Sequence, residues 1–225
     1  MVDNPNGGAT MPFVHQQASS GFSVWGLLAL LVGIFLIVIV LLPAVSSKGF
    51  PAHRVVCTTQ LKQISLAMLL WSEDHRTNFP MHVSFTNGGS KELTLRGLVT
   101  PTFWAISNQL QNPAAATCPG DKERLPRATS FNAMTDRKIS YFLHLDATVE
   151  KQDSVLLGDR HVATNGVALP AGVVQIHDPQ TVSWTTNIHN GQGNIALADG
   201  SVQQVTSKGF RDVLKTTIAN TLVIP

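Results

Sequence analysis

A chain of 225 residues is long enough for one domain of ordinary size and an additional segment. Its formal charge of +2 comes with only 13% charged residues, well under the usual quarter, and no basic cluster of the kind that holds nucleic acid is present. Nor is there an internal repeat, a phosphate loop, a nucleophile elbow or a zinc-protease pattern, so the common enzyme signatures are missing.

Residues 1–21 are polar, rich in Gly, Asn, Gln and Ser, and read as a leader or disordered segment. Residues 22–42, FSVWGLLALLVGIFLIVIVLL, carry no charge. As a helix this run would span about 30 Å, the thickness of a bilayer core, and it is apolar all round rather than along one stripe. It therefore reads as a transmembrane helix over 22–43, with Trp25 as an interfacial anchor or an ordinary lipid contact. A cleaved signal peptide would have a shorter apolar run preceded by basic residues. Pro43 and the stretch from Ser46 to Pro51 predict a break.

A second helix is predicted over about 52–76. Cys57, Leu61, Ile64, Met68 and Trp71 recur at spacings of four, three, four and three and form one apolar stripe, with Lys62, Gln63, Ser65, Ser72 and Glu73 largely off it. Asn78-Phe79-Pro80 ends it. Residues 112–132 read as loop. Ile139–Leu145, Ser154–Gly158 and Val173–Ile176 are short and β-prone. Asp199-Gly200 stands between Asn194-Ile-Ala-Leu-Ala and Ser201-Val-Gln-Gln-Val and predicts a two-residue hairpin turn, which would set Leu197 opposite Val202. A short helix is expected from Lys208 to about Ala219. The fold class is α+β: a helix whose stripe packs on a small antiparallel sheet within a globular domain over 44–225.

Two cysteines, Cys57 and Cys118, follow the apolar run. They form a disulfide if this part is exported, and otherwise are two buried thiols. His189 with Asp199, joined by Asp159 or His161, offers the donor types of a zinc-like site. The structural alternative is the favoured one: Asp199 shapes the turn, Gly200 supplies a positive φ, and His189 bonds across its loop. His177-Asp178 and Asp159-Arg160-His161 are neighbours in sequence and would point to opposite faces of a strand, so they make poor catalytic dyads. No cofactor is implied.

Several motifs together resemble one family. Gly21-Phe22-Ser23-Val24 resembles the junction at which the leader of type IV pilins and type II secretion pseudopilins is cut, and Pro43 falls at the twenty-second position from Phe22, where that family commonly has proline. Arg54-Val-Val-Cys57-Thr-Thr-Gln60-Leu-Lys-Gln-Ile resembles the Cys-x-x-Asn-Leu-Lys-Gln-Ile run of a bacterial group with prepilin-type ends, with Gln60 replacing Asn. Thr117-Cys118-Pro119-Gly120-Asp121 resembles its Cys-Pro-x-Asp element, and His189, nine intervening residues and Asp199-Gly200 resemble its H-X9-DG element. Three departures stand out. The leader has no basic residue, Gly26 stands where the family has Glu, and Lys48, Arg54 and Lys62 follow the apolar run with nothing basic before it, which by the positive-inside rule opposes export. Calcium occurs in the main pseudopilins, but its oxygen ligands do not suit His189.

The resemblance implies a pilin-like fold, with a long N-terminal helix that is membrane-embedded in its first half and amphipathic in its second. It implies leader processing at Gly21 and Phe22, a Cys57–Cys118 disulfide and a single-pass place in the bacterial inner membrane, with the C-terminal domain periplasmic. The implied partners are membrane lipid, other pilin-like subunits, secretion or pilus assembly proteins and a prepilin peptidase; no nucleic acid is expected. The expected function is a non-enzymatic subunit or accessory of a type II secretion or type IV pilus-like assembly. Two rivals remain: an anchored binding or scaffold protein that does not polymerise, favoured by Gly26, and a metal-dependent periplasmic enzyme.

Overall fold

The computed structural model describes residues 23–45, 50–124, 126–217 and 219–225. The chain divides into two compact units, Met1–Ser47 and Lys48–Pro225. The junction at Gly21-Phe22 and the linker residues 46–49 lie outside the described residues.

The first unit carries one helix, α1 (Val24–Val45), which continues through Pro43. Its apolar side chains lie open, with Trp25 81% and Phe35 64% exposed. Its placement in a membrane is corrected by the structure: among the described residues no helix is long and apolar enough to cross one. The single-pass inner-membrane location with a periplasmic domain is therefore not supported.

In the second unit, α2 (Phe50–Glu73) ends three residues before the expected Arg76. The chain leaves it through Arg76 and Thr77, both at positive φ, where a continued helix cannot follow. The stripe is where the periodicity puts it: Cys57, Leu61, Ile64, Met68 and Trp71 are all buried. Ser65 and Ser72 are buried too, contrary to expectation. Each satisfies its hydroxyl by donating to the carbonyl three residues back, Lys62 and Leu69, at 3.1 and 2.7 Å, which lets a polar residue sit inside. Three short helices follow, α3 (Lys91–Thr94), α4 (Thr100–Ala105) and α5 (Ser107–Leu110). The expected loop at 112–132 is a series of tight 3-10 turns, among them Pro113–Ala116 and Phe131–Ala133.

The strands are β1 (Tyr141–His144), β2 (Val155–Asp159), β3 (Val162–Thr164), β4 (Val167–Ala168), β5 (Gly172–Gln175), β6 (Val182–Trp184), β7 (Gln192–Leu197), β8 (Val202–Thr206) and, after α6 (Ser207–Leu214), β9 (Thr221–Ile224). Six of them form an antiparallel sheet in the order β5-β9-β1-β2-β7-β8, and β4-β3-β6 form a smaller one. The α+β class is as expected.

The central strands β9, β1, β2 and β7 are buried on both faces, which explains why they read as apolar runs rather than alternating ones. Tyr141, Leu143, Ala196 and Val223 join the core under the α2 stripe. Their sequence neighbours Phe142, Ile195, Leu222 and Ile224 join a second core with Phe210 and Leu214 of α6 and Trp184 of β6. The two-residue period of a strand thus divides its side chains between the cores. Each such side chain, fully buried, contributes roughly 1.5–3 kcal/mol.

The hairpin register differs from the expected one. Ala196, not Leu197, faces Val202, and Ile195 faces Gln203. Leu197 N–H donates to Ser201 O at 2.9 Å, and Gly200 N–H donates to Leu197 O at 2.9 Å. Ala198, Asp199 and Gly200 therefore form a three-residue loop, a turn closed by a left-handed residue. Gly200 has φ +80°, and Asp199 is not at positive φ.

Candidate functional site

The chemistry-bearing residues gather where the start of α2, the Cys118 loop, the end of β2 and the turn before β7 meet. The Cys57–Cys118 disulfide joins α2 to the loop across 61 residues of sequence. On the chain-entropy account such a closure contributes about 4 kcal/mol. His189 sits buried beside it, its Nε2 3.6 Å from Cys118 Sγ.

His189, Asn190 and Gly191 are all left-handed, with φ of 52°, 54° and 74°. A run of left-handed residues is costly unless its surroundings fix it. Arg54 supplies part of that fixing: its Nη2 donates to His189 O at 2.6 Å and its Nη1 to Gln192 Oε1 at 2.8 Å.

Asp159, at the end of β2, lies with Oδ2 3.6 Å from His189 Nε2. That is too long for a hydrogen bond. The same Oδ2 accepts from Asn194 N and Nδ2, both at 2.8 Å, while Oδ1 is buried without a partner. Burial pushes the Asp159 carboxyl up to about 7, outweighing the donation from Asn194. Burial, helped by the Arg54 charge, pushes His189 down to about 4. Between those values the two groups face each other uncharged, so the contact is not an ion pair.

A second cluster stands next to it. Arg160 Nε donates to Asp121 Oδ2 at 2.7 Å and its Nη2 to Asp121 Oδ1 at 3.0 Å, and Nη2 also meets Glu123. His161 Nε2 lies 3.5 Å from Asp121 Oδ1. Burial works against the charge of Asp121, but the bonds from His161 and Arg160 prevail and hold its carboxyl well below the usual range. Asp121, Glu123 and His161 come close enough to share a metal ion. Arg160 already pairs with both carboxylates from within the chain.

The two clusters border a cleft of about 550 Å³ lined by His53, Gly120, Asp121, Glu123, His161 and His189, among others. Gly120 forms part of its floor: a Cβ there would come within 3.3 Å of Ile188 Cγ2, 3.4 Å of His189 Cε1 and 3.5 Å of Cys118 Sγ.

Of the residues singled out in the sequence, Cys57, Cys118, His189 and Asp159 come together. Asp199 does not: it is exposed at the far end of β7, where its Oδ1 accepts from Ser201 N at 2.7 Å. His189 and Asp199 therefore bracket one strand and do not share a site. Arg54 and Lys62 were read only as charges following an apolar run, yet both grip backbone carbonyls, Lys62 Nζ donating to Gly200 O at 2.6 Å. Arg160 had no distinguishing signal beyond its place between Asp159 and His161. Asp121 had one, in the Cys-Pro-x-Asp element. Gln60, the departure from that group's Asn, accepts from Tyr141 Oη at 3.0 Å inside the core. The cleft offers imidazoles and carboxylates; among the described residues there is no free thiol. Comparisons with protein-family models, curated proteins and solved structures found no match.

Proposed function

We infer that the chain is a non-enzymatic assembly protein, a pilin- or pseudopilin-like subunit or accessory of a type II secretion or type IV pilus-like machine, with α1 as its packing element and the disulfide-bonded α+β domain as its contact module. The observation that carries this reading is the open apolar surface of α1, on which Trp25, Leu30, Leu31 and Phe35 are all more than half exposed. An apolar patch of that extent on a helix demands cover, since each such side chain gains about 1.5–3 kcal/mol when buried. Apolar helices of other copies or of like subunits supply that cover in a lateral assembly. The second unit supports the reading in its architecture, an amphipathic helix packed by one stripe on an antiparallel sheet, which agrees with a pilin-like fold.

A photo-crosslinking side chain placed at Leu31 of the full chain tests it. Crosslinks joining residue 31 to α1 of a second copy or of another apolar-helix subunit are expected. Only intrachain products, with the helix formed, would reject assembly through α1. The second reading, a binding or scaffold protein that does not polymerise, is favoured by Gly26 and by the cleft beside His189. It gives one discrete product where a polymer gives a ladder. N-terminal sequencing bears on the leader: a mature chain starting at Phe22 is expected for a processed pilin-like protein.

A further inference from the structure

We propose that Cys57, Cys118 and His189 form a zinc site when their disulfide is reduced, so that this corner of the domain has two covalent states: a disulfide when oxidised and a metal clip when reduced. The inference is independent of the assembly reading above. It rests first on placement. The two sulfurs and His189 Nε2 all lie within 4.8 Å of one another, and all three residues are buried. Zinc holds sulfur at about 2.3 Å and nitrogen at about 2.0–2.1 Å in a tetrahedron, which sets sulfur–nitrogen edges of roughly 3.5 Å. The observed edge from His189 Nε2 to Cys118 Sγ is 3.6 Å. The sulfur–sulfur edge must widen, and reduction permits that by removing the bond.

A second observation points the same way. Asp159 brings a carboxylate to 3.6 Å from the same imidazole nitrogen, with Oδ1 buried and unpartnered. An acceptor left without a donor in a protein interior is costly, and a dication beside it removes that cost. Asn194 holds the carboxylate by two bonds at 2.8 Å, the kind of outer support that orients groups around a metal. The entry path is the cleft: Gly120 has no side chain to separate it from Cys118 Sγ and His189 Cε1. The neighbouring Asp121, Glu123 and His161 do not compete, because Arg160 pairs with both carboxylates.

The chemistry balances with a dithiol as reductant. Two electrons and two protons pass to the disulfide, giving the thiols of Cys57 and Cys118, and the dithiol becomes its own disulfide. On binding Zn²⁺ the two thiols release their protons to solvent and coordinate as thiolates, with neutral His189 as the third ligand and a fourth position left for water.

The test uses the full chain, oxidised or reduced under argon, with Zn²⁺ and with Co²⁺ as a spectroscopic probe. The reduced chain should retain one Zn²⁺ per molecule after gel filtration, and its Co²⁺ form should show thiolate charge-transfer and tetrahedral ligand-field bands. Its melting temperature should rise with added Zn²⁺, as binding to the folded state requires. The oxidised chain should show none of these. His189→Ala keeps both cysteines and should lose the stoichiometric metal, and Asp159→Asn should weaken binding by about 10–100-fold. Zn²⁺ retained equally by reduced His189→Ala would overturn the proposal, because loose thiols would then be the ligands. So would a reduced wild type that holds no metal, or one that has lost its near-ultraviolet circular dichroism and does not regain it with Zn²⁺.

Discussion

Gly200 offers the sharpest test of how the hairpin is built. It sits at φ +80°, and a Cβ built there would lie 2.8 Å from Leu69 Cδ1 on α2. Gly200→Ala should therefore incur two separate costs. The left-handed conformation costs an L-residue about 1–2 kcal/mol. The contact with Leu69 meets the end of a flexible, half-buried side chain, so it is relieved by a rotamer adjustment costing about 0.5–1.5 kcal/mol. The expected loss is about 2–3 kcal/mol in urea unfolding of the disulfide-intact chain, followed by Trp71 and Trp184 fluorescence. Two further variants separate the terms. Gly200→Asn tolerates the left-handed conformation but keeps the contact, so it should recover about 1 kcal/mol. Leu69→Ala in the Gly200→Ala background should remove the contact and leave the backbone cost, which appears as coupling in a double-mutant cycle. Asp199 distinguishes the turn types. In a two-residue turn of the primed kind both central positions need positive φ, whereas in the observed loop Asp199→Ala loses only its bond to Ser201 N, about 1 kcal/mol. Gly200→Ala within 0.5 kcal/mol of wild type, or Asp199→Ala as damaging as Gly200→Ala, would refute this account.

Three other outcomes are expected. Arg54→Ala and Lys62→Ala should each destabilise the second unit by about 1–2 kcal/mol, because each removes the short donor to a backbone carbonyl of the β7 segment and leaves only a 3.4 Å one, Gln192 N on His189 O or Ser65 Oγ on Gly200 O; amide exchange should rise around His189 in the first and around Gly200 in the second. Reduction of Cys57–Cys118 in metal-free buffer should lower stability by about 4 kcal/mol, read as a shift of the urea midpoint at unchanged slope if the fold is kept. The acid limb should depend on Asp121, whose carboxyl is held below its unfolded value near 3.9. A depressed carboxyl contributes its stability above the unfolded value and loses it as pH falls toward the folded one. Wild type should therefore lose stability below about pH 4, while Asp121→Asn should be weaker at neutral pH and flatter over that window. An equally steep acid limb in Asp121→Asn would place the acid sensitivity elsewhere.

The parts of this fold that were legible in the sequence are those written in local period. The α2 stripe follows from spacing alone, because a helix repeats every 3.6 residues and five apolar side chains keep to that repeat. β1, β2, β5 and the β7–β8 pair were found as β-prone runs at nearly their observed places. What failed depended on partners distant in sequence. The register of β7 and β8 turned on whether Asp199-Gly200 is a two- or a three-residue loop. Gly200's packing on Leu69 and its carbonyl bond to Lys62 accompany the three-residue form, and neither is visible locally. β9 was missed because four residues carry little periodicity, yet it lies between β5 and β1. Ser65 and Ser72 were set outside the core because polarity was taken as exposure, whereas a serine that bonds back along its own helix can be buried. At the site, residue types pointed to His189, Asp159 and the cysteines, while pairing His189 with Asp199 overlooked the length of the strand, β7, that separates them.

That strand gives the H-X9-DG pattern a physical meaning in this chain. His189 and Gly200 flank β7, and α2 holds the segment at three points four residues apart: Arg54 on His189 O, Thr58 on Asn194 Oδ1, and Lys62 on Gly200 O. Positions four apart lie on one face of a helix, so the three grips form a single row. Their lengths are ordered too, with the short threonine in the middle and the long arginine and lysine at the ends. A straight strand crossing a helix at an angle lies nearest it at the crossing point and diverges on either side. A short side chain serves the centre, and only long ones reach the ends. Over the eight residues from Arg54 to Lys62 the helix advances about 12 Å, against about 20 Å for the six residues of β7, so the outer two side chains must span the difference. Two of the basic residues that follow the apolar run, Arg54 and Lys62, are therefore committed to the fold. Arg54 and Lys62 are required where they are by the strand they hold, so their positions follow from the fold.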